Sequence, residues 1–173
     1  GTALDIIVER IQEAMGTQVC SVYLLNEDRD RYVFMANRGL NASAVGKASL
    51  GIGEGLVGYV GERAEPVNLQ DAAKHRRYHY LEEVGEEPFN AFLGVPIIHH
   101  RRVLGVLVVQ QRLARRYDES EEAFLITLSA QLAGVIAHAR ATGSLSVSAT
   151  TRESTASRLQ GKAGTPGVAN GTA

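Results

Sequence analysis

The sequence is poor in cysteine: its 173 residues include one, Cys20. A single cysteine cannot form an intrachain disulfide, so a cytoplasmic protein with a reduced thiol is expected. Basic and acidic residues number 18 and 19, which leaves a formal net charge of −1. This balance supplies no general attraction to nucleic acid or to an anionic membrane, and neither is expected as a partner.

Long hydrophobic runs are also missing from the sequence. No apolar run approaches the roughly 20 residues that a membrane span needs, and the N-terminus has no signal-peptide pattern. We find no spacing typical of metal ligands and no nucleophile paired with a base, so we predict no metal site and no catalytic residue in this chain. These absences favour a binding or regulatory domain over an enzyme.

What is present is an ordinary globular composition, with 45% hydrophobic and 21% charged residues in a length that suits one domain. Apolar residues at helical spacing from Leu4 to Met15 predict an N-terminal helix, which Gly16 ends. Asp118 and Glu121 form a capping-box pair, which predicts the start of a long helix that reaches about residue 141. The expected core-facing stripe of this helix consists of Leu125, Leu128, Leu132, Val135, Ile136 and Ala139.

The segment 92–112, FLGVPIIHHRRVLGVLVVQQR, contains two apolar runs around a charged tip. Runs this short and this rich in Val, Ile and Leu predict two antiparallel strands in the centre of a sheet that is covered on both faces. Another hairpin is predicted over 19–36, short strands over 45–50 and 67–69, and a short helix that ends near residue 63. Antiparallel strands with helices at both ends indicate an α+β fold, one sheet with helices on its faces.

Two segments lack this regularity. Residues 71–89 are polar and aromatic with little periodicity, which predicts a long loop, and loops of this length are often functional. Residues 142–160 are about half Ser and Thr, which predicts a flexible linker after a domain that ends near residue 141. Residues 161–173 become rich in glycine again, and we interpret them as the truncated start of a further region.

Four stretches of the sequence resemble the GAF domain family of small-molecule sensors. They are GEGLVGYVGERAEPV (53–67), FLGVPI (92–97), RVLGVLVVQ (102–110) and YDESEEAFL (117–125). The resemblance extends over about residues 3–141. It implies a GAF (PAS-like) domain, with a central antiparallel sheet of five to six strands and a small-metabolite site between the sheet and the loop at 71–89.

The tail sequence KAGTPGVA (162–169) resembles the opening strand of enzyme I, the phosphoenolpyruvate–protein phosphotransferase family. In the nitrogen-related branch of that family, a GAF domain precedes this strand. The resemblance implies a parent enzyme that phosphorylates its own histidine from phosphoenolpyruvate with Mg²⁺ and passes the phosphoryl group to a carrier protein. None of the five histidines here matches the catalytic motif, so the resemblance implies a regulatory domain without catalytic residues or a cofactor of its own. The implied signal is nitrogen status, carried by a metabolite such as glutamine or 2-oxoglutarate.

Two groups of residues are candidates for the implied ligand site. In the long loop, an arginine can bind a carboxylate bidentately and a tyrosine can supply a hydrogen bond from a rigid ring. On the strands, aromatic side chains can line a cavity, and a glutamine that follows four apolar residues can project into it. The competing interpretation is a solvated loop, plain core aromatics and an exposed strand end. The candidates are Tyr23, Phe34, His75, Arg77, Tyr78, Tyr80, Phe92 and Gln110.

Two other functions stay open at this level. The first and last helices are both amphipathic and can pair with a second copy, which would make the domain a homodimerisation module without a ligand. Cyclic-nucleotide-binding GAF domains carry an Asn-Lys, Phe and Asp-Glu pattern. Here Gln111-Arg112 stands in place of Asn-Lys and Tyr117 in place of Phe, which makes cyclic-nucleotide binding the weaker alternative.

Overall fold

The computed structural model describes residues 3–79 and 89–148. Within these residues the helices are α1 (Ala3–Met15), α2 (Gly55–Arg63) and α3 (Glu119–Ala141). The strands are β1 (Val19–Leu25), β2 (Arg31–Arg38), β3 (Ser49–Gly51), β4 (Val67–Leu69), β5 (Ala91–His99) and β6 (Arg102–Gln111). Short 3₁₀ turns lie at Ala42–Ala44 and Ala72–Lys74.

The strands form one six-stranded sheet in the order β3-β2-β1-β6-β5-β4, and every neighbouring pair is antiparallel. The predicted α+β fold is therefore confirmed. The segment 92–112 supplies β5 and β6, which lie inside the sheet as expected. At the tip of this hairpin His100 and Arg101 both have positive φ, 48° and 64°, as a two-residue turn between twisted antiparallel strands requires.

Both faces of the sheet are covered, which explains why the central strands are apolar at nearly every position. Strand β1 is buried along its whole length because alternate residues belong to different cores. Cys20, Val22 and Leu24 pack on the side of α1 and α3. Tyr23 and Leu25 pack on the opposite side, against α2. The sheet thus separates two hydrophobic cores.

Helix α3 begins as the sequence predicts and packs differently from the prediction. The Asp118 side chain accepts a hydrogen bond from the Glu121 N–H, and the Glu121 side chain accepts one from the Asp118 N–H. The prediction was wrong for Val135, which is 44% exposed. Because the small side chains of Ser129 and Ala133 face the sheet, they let the helix approach closely. The buried face consists of Leu125, Ser129, Leu132, Ala133 and Ile136.

By length and composition alone, α3 would also qualify as a membrane span, with a mean hydropathy of 1.4. This is weak evidence for a membrane, since the core helix of a globular domain meets the same criterion. Leu125, Leu132 and Ile136 of α3 are part of the core between the helix and the sheet. Packing on the sheet accounts for these three residues, whereas Phe124, Ile126 and Val135 of the same helix are exposed.

Two boundaries differ from the predicted ones. The third strand occupies 49–51 instead of 45–50, since pairing with β2 holds only these three residues. After α3, the Val147 side chain is 1% exposed and its carbonyl accepts a hydrogen bond from the Glu27 N–H at 3.1 Å. The first residues of the predicted linker therefore pack on the domain. Residues 149–173, which include the predicted phosphotransferase start, lie outside the described residues, and the division into domains stays a prediction.

Candidate ligand-binding site

A small cavity lies on the α2 side of the sheet, beneath the described stretch 71–79. Its volume is about 30 Å³, which is room for about one water molecule. Strands β1, β5 and β6 supply its floor, α2 supplies one wall, and the end of the stretch 71–79 supplies the cover. The lining consists of Tyr23, Leu50, Leu56, Val57, Tyr78, His79, Phe92, Val108 and Gln110.

The floor of this cavity carries neutral polar groups in an otherwise apolar setting. Gln110 is 6% exposed and lies opposite Val19 on β1 and Phe92 on β5. Among the described residues, no side-chain hydrogen bond involves the Gln110 amide. Ser21 lies on the same face of the sheet but outside the cavity lining, is fully buried, and its Oγ has no hydrogen-bond partner among the described residues. Unpaired buried polar groups are unfavourable in a well-packed core, whereas a binding site uses a few polar groups to orient its ligand.

The aromatic candidates form the apolar part of the site. Tyr23 and Phe92 lie on the floor, and Tyr78 covers it. Phe34 is fully buried behind Tyr23, with the two ring centroids 5.2 Å apart, and does not line the cavity. Phe34 therefore supports the position of the Tyr23 ring.

The cationic candidates of the loop turn toward α2 and away from the cavity. The Arg77 guanidinium donates hydrogen bonds to the Gly53 carbonyl and, at 3.0 Å, to a Glu62 carboxylate oxygen. It also lies 5.3 Å from the centroid of the Tyr59 ring. Arg77 thus attaches the stretch 71–79 to α2. No arginine lines the cavity, so the expected bidentate contact between an arginine and a ligand carboxylate is not available there.

His75 has a similar attaching role. Its ring centroid lies 5.0 Å from that of Tyr59, and its Nδ1 accepts a hydrogen bond from the Arg77 N–H at 3.1 Å. Burial lowers the pKa of His75, and the positive charges of Arg76 and Arg77 lower it further. The neutral imidazole is therefore the form that fits this site.

The structure thus brings four of the eight candidates, Tyr23, Tyr78, Phe92 and Gln110, to the cavity. Tyr80 lies outside the described residues. Sequence reasoning missed Val108, which the alternation of β6 assigns to the same face as Gln110. It also missed Leu50, Leu56 and Val57 because nothing local in the sequence indicates that β3 and α2 fold over this face. His79 belongs to the same loop cluster and reaches the lining, with its Nε2 3.4 Å from a Glu54 oxygen.

The single cysteine lies away from the cavity. The Cys20 thiol is fully buried on the far side of the sheet, and this burial raises its pKa to about 12. A nucleophilic thiolate does not form there at neutral pH. Within 3–79 and 89–148, no group of three or more His, Cys, Asp or Glu side chains is placed to hold a metal ion.

Comparison with known proteins identifies the fold. The sequence matches the GAF domain family over residues 1–136, and the chain belongs to that family. It is 48% identical to the GAF domain of a phosphoenolpyruvate-protein phosphotransferase from Coxiella burnetii, with a TM-score of 0.79 over 83% of this chain and 85% of that chain. It is 50% identical to the corresponding GAF domain from Acinetobacter, with a TM-score of 0.75 over the same shares of each chain.

Full-length relatives agree with the structural ones. The chain is 48% identical over 140 residues to the phosphoenolpyruvate-dependent phosphotransferase system protein of Escherichia coli, a match that covers 81% of this chain and 19% of the relative. The chain therefore spans about a fifth of the curated relative that it matches. Its particular similarity is to the GAF domains of phosphoenolpyruvate–protein phosphotransferases.

Proposed function

We propose that this GAF domain is a regulatory sensor that binds a small polar metabolite in the cavity beneath residues 71–79. The observation that carries the proposal is the neutral amide of Gln110, which is 6% exposed and lines an otherwise largely apolar cavity. A binding site uses a few such polar groups to orient its ligand. The cavity has room for about one water molecule, so a metabolite must displace lining side chains, among which Tyr78 and His79 come from the stretch 71–79.

The regulated activity is proposed from the relatives. A domain similar to the GAF domains of phosphoenolpyruvate–protein phosphotransferases would modulate autophosphorylation of a histidine, with Mg²⁺, and transfer to a carrier protein in the cytoplasm. The proposed signal is nitrogen status. Of the two metabolites considered, glutamine suits the described lining better than 2-oxoglutarate. It carries one carboxylate instead of two, no arginine or lysine lines the cavity, and the Gln110 amide can pair with a ligand amide.

Thermal unfolding of the 173-residue chain tests this proposal. A ligand that binds the folded state adds RT ln(1 + [L]/Kd), or about 2.7 kcal/mol at 100 times Kd. We expect L-glutamine to raise the midpoint, with cyclic AMP and cyclic GMP as negative controls. Tyr117, at a key position of the cyclic-nucleotide pattern, lies in the core under α3 and not in the cavity. If glutamine and 2-oxoglutarate both fail to stabilise the chain, the proposed metabolite class is wrong.

A second candidate function, homodimerisation, is favoured by an apolar groove between α1 and α3. The groove has a volume of about 330 Å³, and Phe124 and Val135 on its rim are 43% and 44% exposed. A second copy is a suitable occupant because a twofold axis along α3 would bury the exposed Phe124 and Val135 side chains of both copies against each other.

Sedimentation equilibrium distinguishes a dimer from a monomer. Val135→Asp is expected to shift a dimer toward monomer, since it places an unpaired charge in the contact. Ile52→Asp is the matched control, because Ile52 is 57% exposed and does not line the groove. A wild-type chain that stays monomeric at high concentration rules out this candidate and leaves the sensor proposal intact.

A further inference from the structure

Two asparagines near the two ends of the segment that joins β4 to β5 bond to the connection between β6 and α3. Asn68 is the middle residue of β4, and Asn90 immediately precedes β5. The connection consists of residues 112–118 and is here named the α3 lead-in. The pair Asn68 and Asn90 is here named the asparagine clasp.

Asn68 makes a two-way contact with the backbone of Tyr117. Its Nδ2 donates to the Tyr117 carbonyl at 2.8 Å, and its Oδ1 accepts from the Tyr117 N–H at 3.2 Å. The same Nδ2 donates to a Glu122 carboxylate oxygen in the first turn of α3 at 3.1 Å. One amide therefore bonds β4, at the edge of the sheet, to the residue that precedes the α3 N-cap.

Asn90 holds the other end of the lead-in. Its Nδ2 donates to the Arg112 carbonyl at 2.8 Å. Its own carbonyl accepts from the Ala72 N–H at 2.7 Å, so Asn90 also fixes the start of the stretch 71–79 that covers the cavity. Asn90 thus joins the cover of the cavity to the start of the lead-in, and Asn68, on the strand that runs into the cover, holds the end of the lead-in.

The lead-in is itself stiff, so a displacement at the clasp is passed on to α3. The Tyr117 side chain is 2% exposed and lies under the Arg115 guanidinium, 4.5 Å from the ring centroid. Arg115 also pairs with Glu121, whose carboxylate closes the capping box with Asp118. Movement of Tyr117 therefore displaces the cap of α3.

We propose that the asparagine clasp couples the cover of the cavity to the first turn of α3. This inference rests on the proposed sensor function, since it states how occupation of the cavity reaches the opposite face of the sheet. Coupling free energies are reciprocal. A perturbation of the α3 cap must therefore change the local stability of residues 72–78, and it must do so only when the clasp is intact.

Asn68→Asp is the sharpest variant because it changes one atom. The carboxylate still accepts from the Tyr117 N–H, loses the donation to the Tyr117 carbonyl, and repels Glu122. Asn37→Asp is the matched control, since the Asn37 Oδ1 acts as an acceptor, from the Leu40 N–H at 3.0 Å, and aspartate keeps that bond. Asn68→Ala serves as a second variant if the aspartate disturbs folding.

Amide hydrogen exchange on the 173-residue chain measures the coupling without any ligand. Asp118→Ala removes the α3 cap, and we expect it to speed exchange of the His75 and Tyr78 amides by about threefold or more, relative to the central β1 amides. In Asn68→Asp or Asn68→Ala, the same cap removal should change these rates by less than about twofold. The Asn37→Asp background should behave as wild type.

The outcomes separate this inference from the proposed function. The clasp proposal is overturned if cap removal leaves the His75 and Tyr78 amides unchanged in wild type, or changes them equally in the Asn68 variants. In a second arm, saturating L-glutamine should slow exchange of the Glu122 amide in wild type and not in Asn68→Asp. Coupling to the cap without any effect of glutamine would support the clasp and count against the proposed metabolite.

Discussion

Replacing Gln110 by leucine should stabilise the free domain and weaken ligand binding. The Gln110 side chain is 6% exposed and, among the described residues, makes no side-chain hydrogen bond. An unsatisfied buried polar group costs about 1–3 kcal/mol. The adjoining cavity has room for about one water molecule, which would satisfy part of the amide, so we expect a gain near the lower end, about 1 kcal/mol.

Thermal unfolding with and without ligand measures both effects. A gain of about 1 kcal/mol raises the midpoint by about 3 °C in a domain of this size. A lost ligand hydrogen bond that leaves the ligand group unpaired weakens binding about tenfold or more. At a concentration of 100 times the wild-type Kd, stabilisation by the ligand then falls from about 2.7 to about 1.4 kcal/mol.

Gln111→Leu is the matched control for this prediction. It makes the same chemical change one residue further along β6, on the opposite face and at a half-exposed position. We expect it to change stability by less than about 0.5 kcal/mol and to leave the response to ligand intact. Two results would contradict the role assigned to the Gln110 amide. One is that Gln110→Leu destabilises the free domain, and the other is that both leucine variants respond to ligand as wild type does.

Three further predictions concern stability, each measured by urea unfolding. Tyr117→Phe should stabilise the domain by about 1 kcal/mol, because the buried Tyr117 hydroxyl has no hydrogen-bond partner among the described residues; a loss of stability would reveal one. Gly61→Ala should destabilise by about 1–3 kcal/mol, since the new Cβ would lie 1.8 Å from the Tyr32 hydroxyl, and a neutral result would mean that Tyr32 moves aside easily. The lowered pKa of His75 means that the folded state binds fewer protons than the unfolded state, so stability should fall as the pH drops below the unfolded-state pKa of about 6.5. His75→Asn should reduce this acid loss between pH 7.5 and 5.5, and an unchanged pH profile would contradict it.

The fold was predictable where neighbouring residues determine the secondary structure by themselves. The hairpin over 92–112, the helix begun by Asp118 and the strand from Val19 to Leu25 all carry their periodicity or caps within a few residues. The short strand β3 was misplaced because its three paired residues owe their conformation to β2. Val135 was misassigned because α3 is apolar on several sides, and the small residues Ser129 and Ala133 decide which side meets the sheet.

The candidate site was predictable in part, for a related reason. Gln110 was predicted because it is a polar residue at the end of an apolar run. Tyr23 and Phe92 were predicted because they are aromatic residues on strands. Arg77 was expected at the ligand because its chemistry suits a carboxylate. Its actual contacts, with Gly53 and Glu62, depend on how the stretch 71–79 lies on α2, which only the tertiary structure determines.

Binding of a metabolite in the cavity on the α2 side of the sheet can be followed residue by residue. The measurement is amide chemical-shift mapping of the 173-residue chain during titration with L-glutamine. We predict saturable shifts at Gln110, Val108 and Leu56, which line the cavity, followed by smaller shifts at Tyr117 and Glu122 in the α3 lead-in and first turn. Shifts confined to the α1–α3 groove, or no shifts at any concentration of glutamine, would contradict it.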